Sequence, residues 1–109
     1  MKIPEHEMTV TNWTQVPAEE HKGETGIAVW RTRRMGDIRI RMVEYSPGYK
    51  ADHWCEKGHV ILCAAGSLEM ELADGRKQNM KAGESYHVGD GKPGHRSTTK
   101  EGAKLFIVD

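Results

Sequence analysis

Apolar and polar positions alternate with a two-residue period along much of this chain. In Asp37-Ile38-Arg39-Ile40-Arg41-Met42-Val43-Glu44-Tyr45 the alternation of apolar and charged side chains is almost unbroken, and Ser67-Leu68-Glu69-Met70-Glu71-Leu72 repeats it. Successive side chains of an extended chain point to opposite faces, so the pattern predicts strands with an apolar face on a core and a charged face in water. Val60-Ile61-Leu62-Cys63 is continuously apolar, which predicts a strand buried on both faces. Ala103-Lys104-Leu105-Phe106-Ile107-Val108 predicts a terminal strand, and Gly26–Arg31 and Met8–Trp13 are weaker strand candidates. Only Pro17-Ala18-Glu19-Glu20-His21 suggests a helical turn.

Turn-forming residues separate these runs at short intervals: Ser46-Pro47-Gly48, Ala73-Asp74-Gly75, Lys81-Ala82-Gly83, Gly89-Asp90-Gly91, Pro93-Gly94 and Glu101-Gly102. Many short strands joined by Gly and Pro turns predict an all-β sandwich or barrel. With 109 residues and no repeat, linker or low-complexity tract, a single domain over 1–109 is expected.

Charge narrows the partners. Sixteen basic and sixteen acidic residues cancel and are interleaved, so there is no basic stripe for nucleic acid. The start, Met1-Lys2-Ile3-Pro4-Glu5-His6-Glu7, lacks the apolar run of a signal peptide. No apolar segment approaches the roughly 20 residues that span a bilayer. The expectation is a cytoplasmic protein with no membrane partner, in which both cysteines are free thiols. Cys63, inside an apolar run, is expected to pack as a small hydrophobe. Cys55, among polar and titratable residues, is the better candidate for function.

The candidate chemistry lies in Asp52-His53-Trp54-Cys55-Glu56-Lys57-Gly58-His59. Imidazole and thiolate are the donors preferred by zinc and iron, and three of them fall within seven residues. On a strand, His53 and Cys55 would share a face with Trp54 opposite. A local triplet does not close a four-coordinate site, and His95, after the Pro93-Gly94 turn, is the best distant fourth candidate. Asp52 would either orient His53 or cap the turn. Glu56 reads better as a solvated turn residue than as a base. His6 and His21 read as surface residues and His87 as structural. Trp54, Tyr49 and Tyr86 read as packing residues before pocket residues.

The spacing resembles the two motifs of the cupins: Gly48, His53-Trp54-Cys55, His59 and Gly66 for the first, and Gly83, Pro93-Gly94 and His95 for the second. The resemblance covers about residues 37–108, with 1–36 as N-terminal strands or arm. The Asp-His-Trp-Cys run is similar to the small DHCW-motif cupin fold proteins, with the last two letters exchanged. The resemblance implies a jelly-roll barrel, or double-stranded β-helix, with a divalent metal, zinc or iron, in the barrel. Carried over by position, the ligands would be His53, Cys55 in place of the second His, His59 in place of the usual Glu, and His95.

The sequence departs from the family pattern in three places: the Glu is lost, Gly48 stands one residue closer to His53, and no Asn trails His95. The ligand set is softer than the family's own, which favours zinc or iron over manganese. The resemblance implies a metal-dependent oxygenase or isomerase acting on a small polar molecule, or else a non-catalytic module with a structural zinc. A third possibility is a metal-free β-sandwich. Small cupins commonly pair, so a homodimer is expected, with Trp30 and Trp54 as candidate interface aromatics.

Overall fold

The computed structural model describes residues 2–109, and in it the alternating segments form eight strands. These are β1 (Glu19–Lys22), β2 (Ile27–Met35), β3 (Ile38–Tyr45), β4 (His59–Leu72), β5 (Lys77–Lys81), β6 (Ser85–Val88), β7 (His95–Thr98) and β8 (Ala103–Val108). A single 3-10 turn covers Trp13–Gln15. Every strand pairing is antiparallel.

The fourteen-residue β4 holds the barrel together. Its first half pairs with β8 on one side and β6 on the other, completing a sheet that continues from β8 through β3 and β2 to β1. Its second half pairs with β5 and β7 in the opposite sheet. Between them the register with β8 slips at Cys63/Ala65, leaving Ala64 as an extra residue. Such a bulge bends and twists a strand, and here it turns β4 from one sheet into the other. Gly66 follows at φ 76°, where a Cβ would collide with the backbone of Gly102. The result is the two-sheet jelly roll that the resemblance to the cupins implies.

The two alternating runs and the terminal strand are all strands. Val60–Cys63 and Ser67–Leu72 are not separate strands; they are the two halves of β4. Nor is Val60–Cys63 buried on both faces: Ile61 and Cys63 are inside, while Val60 and Leu62 are 46% and 42% exposed on an outer face where Trp13 packs edge-on against the neighbouring Phe106. Pro17–His21 is no helical turn. Glu19–Lys22 pairs with Ile27–Trp30 as an edge strand, since the hairpin supplies backbone partners that a single turn lacks. Met8–Trp13 is not a strand. Met8 and Val10 are 97% and 93% exposed, and Trp13 opens the 3-10 turn.

The most consequential difference lies in β3. Its alternation points to an apolar face of Ile38, Ile40 and Met42 turned inward and the arginines turned to water. The apolar phase changes at Met42-Val43, however, and pairing with β8 decides which phase faces in. Val43 lies opposite Leu105, itself opposite Cys63, and these three side chains are buried in one layer of the core. Arg41, two residues from Val43, therefore points inward and is only 4% exposed. The core proper runs from Ala28, Val43 and Leu105 to Ile61, Leu68 and Met70. Burying each large side chain of this kind contributes about 2 kcal/mol. Among the described residues, no helix is long and apolar enough to cross a membrane.

Candidate metal centre

The register of the strands places the polar residues of the barrel mouth. Arg39 exchanges backbone hydrogen bonds with Asp109, just beyond β8, and His59 opens the neighbouring β4. One layer deeper come Arg41, Ile107 and Ile61 in the same register. A charged rung thus sits directly on the apolar core.

Three elements deliver the candidate ligands. His59 begins β4, and His95 begins β7. Cys55 belongs to the irregular segment before β4, where it is tied to His95 by two reciprocal backbone hydrogen bonds of 2.8 Å. Its Sγ also accepts from the Lys57 amide at 3.4 Å. Gly58 fixes where β4 starts. A Cβ there would lie 2.8 Å from backbone atoms of Val88, Gly89 and Asp90, so only glycine admits this approach. Its amide donates to Asp90 Oδ1 at 2.6 Å.

The ligand atoms of Cys55, His59 and His95 consequently lie within 4.8 Å of one another. The two imidazoles meet edge to face, their Nε2 atoms 2.7 Å apart. Asp109 sets the tautomer of His59. Its carboxylate accepts from His59 Nδ1 at 3.0 Å, from Arg41 at 2.8 Å and from Arg39 at 2.9 and 3.2 Å. Burial raises its pKa, but the hydrogen bonds from Arg39 and His59 and the charges of Arg41 and Arg39 outweigh it and hold the carboxyl at about 2. A carboxylate only accepts, so His59 carries its proton on Nδ1 and presents a lone pair at Nε2.

Burial lowers the pKa of His59, and Arg41 and Arg39 lower it further against the pull of Asp109. Burial also lowers that of His95, with His59 adding to it. Both rings are therefore neutral near pH 7, the form that binds metal. His95 is 2% exposed, and its Nδ1 is buried without a hydrogen-bond partner. An imidazole–thiolate triad with its tautomer fixed by a carboxylate fits zinc or iron.

His53 stands apart from the three. Its side chain is 75% exposed on the rim, and its Nδ1 is hydrogen-bonded to Asp52 Oδ1 at 2.6 Å. Asp52 thus orients His53, a bond that lowers its own pKa. Trp54 is exposed, with the Arg96 guanidinium 4.1 Å over its ring, and Glu56 is an exposed residue of the irregular segment before β4. Tyr49 is buried and stacks on Tyr45 at 4.3 Å. Trp30 is not on the outer surface; it packs against the core beneath Arg41, 4.4 Å from its guanidinium.

The three ligand atoms open on a cavity of about 250 Å³, bordered by Trp30, Arg41, Tyr45 and His53 among others. A wider groove of about 470 Å³ follows β4 and β5 but carries no cluster of metal-type ligands among the described residues. Arg39, Arg41 and Asp109 are the residues that the sequence pattern did not single out. For the two arginines the signal was present as the phase change at Met42-Val43, legible only once β8 is paired with β3.

No family model matches the chain, and no curated protein matches it significantly in sequence. Solved structures do match. The polyketide cyclase RemF of Streptomyces resistomycificus superposes with a TM-score of 0.76 at 23% identity, over 93% of this chain and 78% of that one. A cupin-2 domain protein of Shewanella frigidimarina gives 0.59 at 23%, over 73% and 78%. The Fe(II) form of HppE gives 0.77 at 13%, over 94% of this chain and 60% of that one. The likeness extends over nearly the whole chain in two of the three, and the fold of this protein is that of a small cupin.

Proposed function

We propose that this chain is a metal-dependent enzyme of the oxygenase or isomerase type acting on a small polar molecule. The observation that carries the reading is the convergence of Cys55, His59 and His95 on one point at the edge of an internal cavity. Three protein ligands leave coordination positions for substrate, whereas structural zinc sites are usually closed by four. The arrangement therefore favours catalysis over a purely structural zinc. A metal-free sandwich gives no reason for two neutral imidazoles and a thiol to face one another. HppE, which has the same fold, holds Fe(II).

In this reading Cys55, His59 and His95 hold zinc or iron, and His53, on the exposed rim with Nδ1 bonded to Asp52 and Nε2 free, is a displaceable donor that yields its position to substrate. The metal would supply Lewis-acid polarisation of a substrate oxygen and, as iron, redox chemistry. The chain's own contribution is positional. Asp109 keeps His59 in the ligating tautomer, and Tyr45, Tyr49, Ile61 and Met70 wall the cavity against water. Free thiols suit the cytoplasm. Two copies pair through the outer face of β3, β8 and β4.

The test is elemental analysis of protein purified without chelator, with turnover then assayed in the presence and absence of oxygen. About one equivalent of zinc or iron is expected in the wild type, less than a tenth of that in His59→Ala and Cys55→Ser, and a weaker, partly retained metal in His53→Ala. Wild-type protein without metal would overturn the reading.

A further inference from the structure

The cavity carries a positive charge that the metal reading does not use. Arg39, Arg41 and Arg96 border it, and no Asp or Glu is among its bordering residues. Arg96 is neutralised from outside by Glu71 at 2.9 Å. Arg39 alone satisfies Asp109, with Nε on one carboxylate oxygen at 2.9 Å and a second nitrogen on the other at 3.2 Å. Arg41 adds one more bond to that same carboxylate, at 2.8 Å. Two guanidinium groups thus face one carboxylate, and the surplus is one positive charge.

That surplus is buried. Arg41 is 4% exposed, and its Nε has no hydrogen-bond partner. A buried cation with an unsatisfied donor is costly, and Trp30 recovers only part of the cost by placing its ring face 4.4 Å from the guanidinium. A structural role for Arg41 is poorly motivated, because Arg39 already neutralises Asp109. The remaining function for such a group is to meet an anion that enters the cavity.

We infer that the substrate is a small monocarboxylate whose carboxylate sits on Arg41, with the rest of the molecule extending toward Cys55, His59 and His95. The metal end of this statement rests on the proposed function; the anion end rests on Arg41. One negative charge balances the surplus, whereas a phosphate dianion exceeds it. At about 250 Å³ the cavity lies at or below the lower limit of drug-sized pockets, which restricts the ligand to a few heavy atoms beyond the carboxylate. Arg41 meets the carboxylate through charge-assisted hydrogen bonds, which are worth roughly twice a neutral one.

Calorimetric titration of the as-purified full chain with lactate, with its neutral isostere lactamide and with inorganic phosphate tests the inference, metal content being measured on the same sample. Lactate is expected to bind roughly tenfold or more tightly than lactamide and more tightly than phosphate, with affinity falling as salt rises. Arg41→Met should remove the preference for lactate over lactamide, and Arg41→Lys should retain much of it. If Arg41→Met does not fold, the wild-type comparison of lactate with lactamide still decides. Equal affinity for the two, tighter binding of phosphate, or an undiminished preference in folded Arg41→Met would overturn the inference. Lactate preference in protein that holds no metal would sustain it while removing the metal reading. Metal without lactate preference would do the reverse.

Discussion

Asp109 connects the barrel's charged rung to its candidate ligands, and its protonation is the strongest pH handle on the fold. Its carboxyl is held at about 2 in the folded chain, below its ordinary 3.8, and its side chain has no solvent exposure. A depressed carboxyl pKa stabilises the fold fully above the unfolded value and loses that stabilisation as pH falls through the folded one. The shift corresponds to on the order of 2 kcal/mol, lost between about pH 4 and pH 2. Asp109→Asn should flatten that part of the stability–pH curve, measured by urea unfolding. It should also cost about 3 kcal/mol at pH 7, because Arg39 and Arg41 are left without their counter-charge. A variant whose curve matches the wild type from pH 5 to 2 would show that the rung is not coupled to folding. Local spacing drew attention to His53, Cys55 and His59, because donor types in a short segment are visible without a fold, and it took the resemblance to the cupin motifs to read them together with the distant His95 as ligands. Asp109 was not legible, since a carboxylate after an apolar strand has no local signature and acquires its role only by facing Arg39 and His59.

At the scale of elements, β4 determines how accurately the site is built. Its start at His59 depends on the close approach of Gly58 to the β6–β7 loop, where a Cβ would meet three backbone atoms at 2.8 Å. Gly58→Ala must displace backbone, not a flexible side-chain end, and should destabilise the fold by about 1–3 kcal/mol in thermal or urea unfolding. Because His59 follows directly, metal affinity should fall as well, by roughly tenfold, in a competition titration with a chromophoric chelator. A variant with weakened folding but unchanged metal affinity would indicate that the site is held by β7 and Cys55 instead. The strands themselves were largely legible, because period two is a strong signal in Asp37–Tyr45 and Ser67–Leu72. What the period does not carry is the choice of inner face. Both phases of β3 contain apolar residues, and only the layer of Val43, Leu105 and Cys63 selects the one that buries Arg41. The same limit explains Val60–Cys63, where an unbroken apolar run conceals a strand with one covered face.

At the scale of the whole molecule, the outer face of that strand is where the proposed dimer would form. Cross-strand register aligns Ile40, Val108 and Val60 in one rung and Met42, Phe106 and Leu62 in the next, all on the side away from the cavity. Val60 and Leu62 are nearly half exposed there. The stripe is bounded by polar residues, Arg31 and Arg33 on β2 and Ser85 and His87 on β6, that lie beside its rungs. An apolar centre with a polar rim is the anatomy of a protein interface, and a patch presented by one sheet face is self-complementary about a two-fold axis. The expected assembly is a dimer, with twice the chain mass in sedimentation equilibrium at micromolar concentration. Leu62→Glu places a charge beside its own symmetry mate or against apolar side chains, and should shift the equilibrium to monomer by at least a hundredfold in dissociation constant. Leu62 is on the opposite face from His59 and Ile61, so the monomeric variant should still bind metal with wild-type stoichiometry. A wild-type chain that sediments at monomer mass up to about 100 μM would remove the dimer, since interfaces of standard size bind well below that concentration.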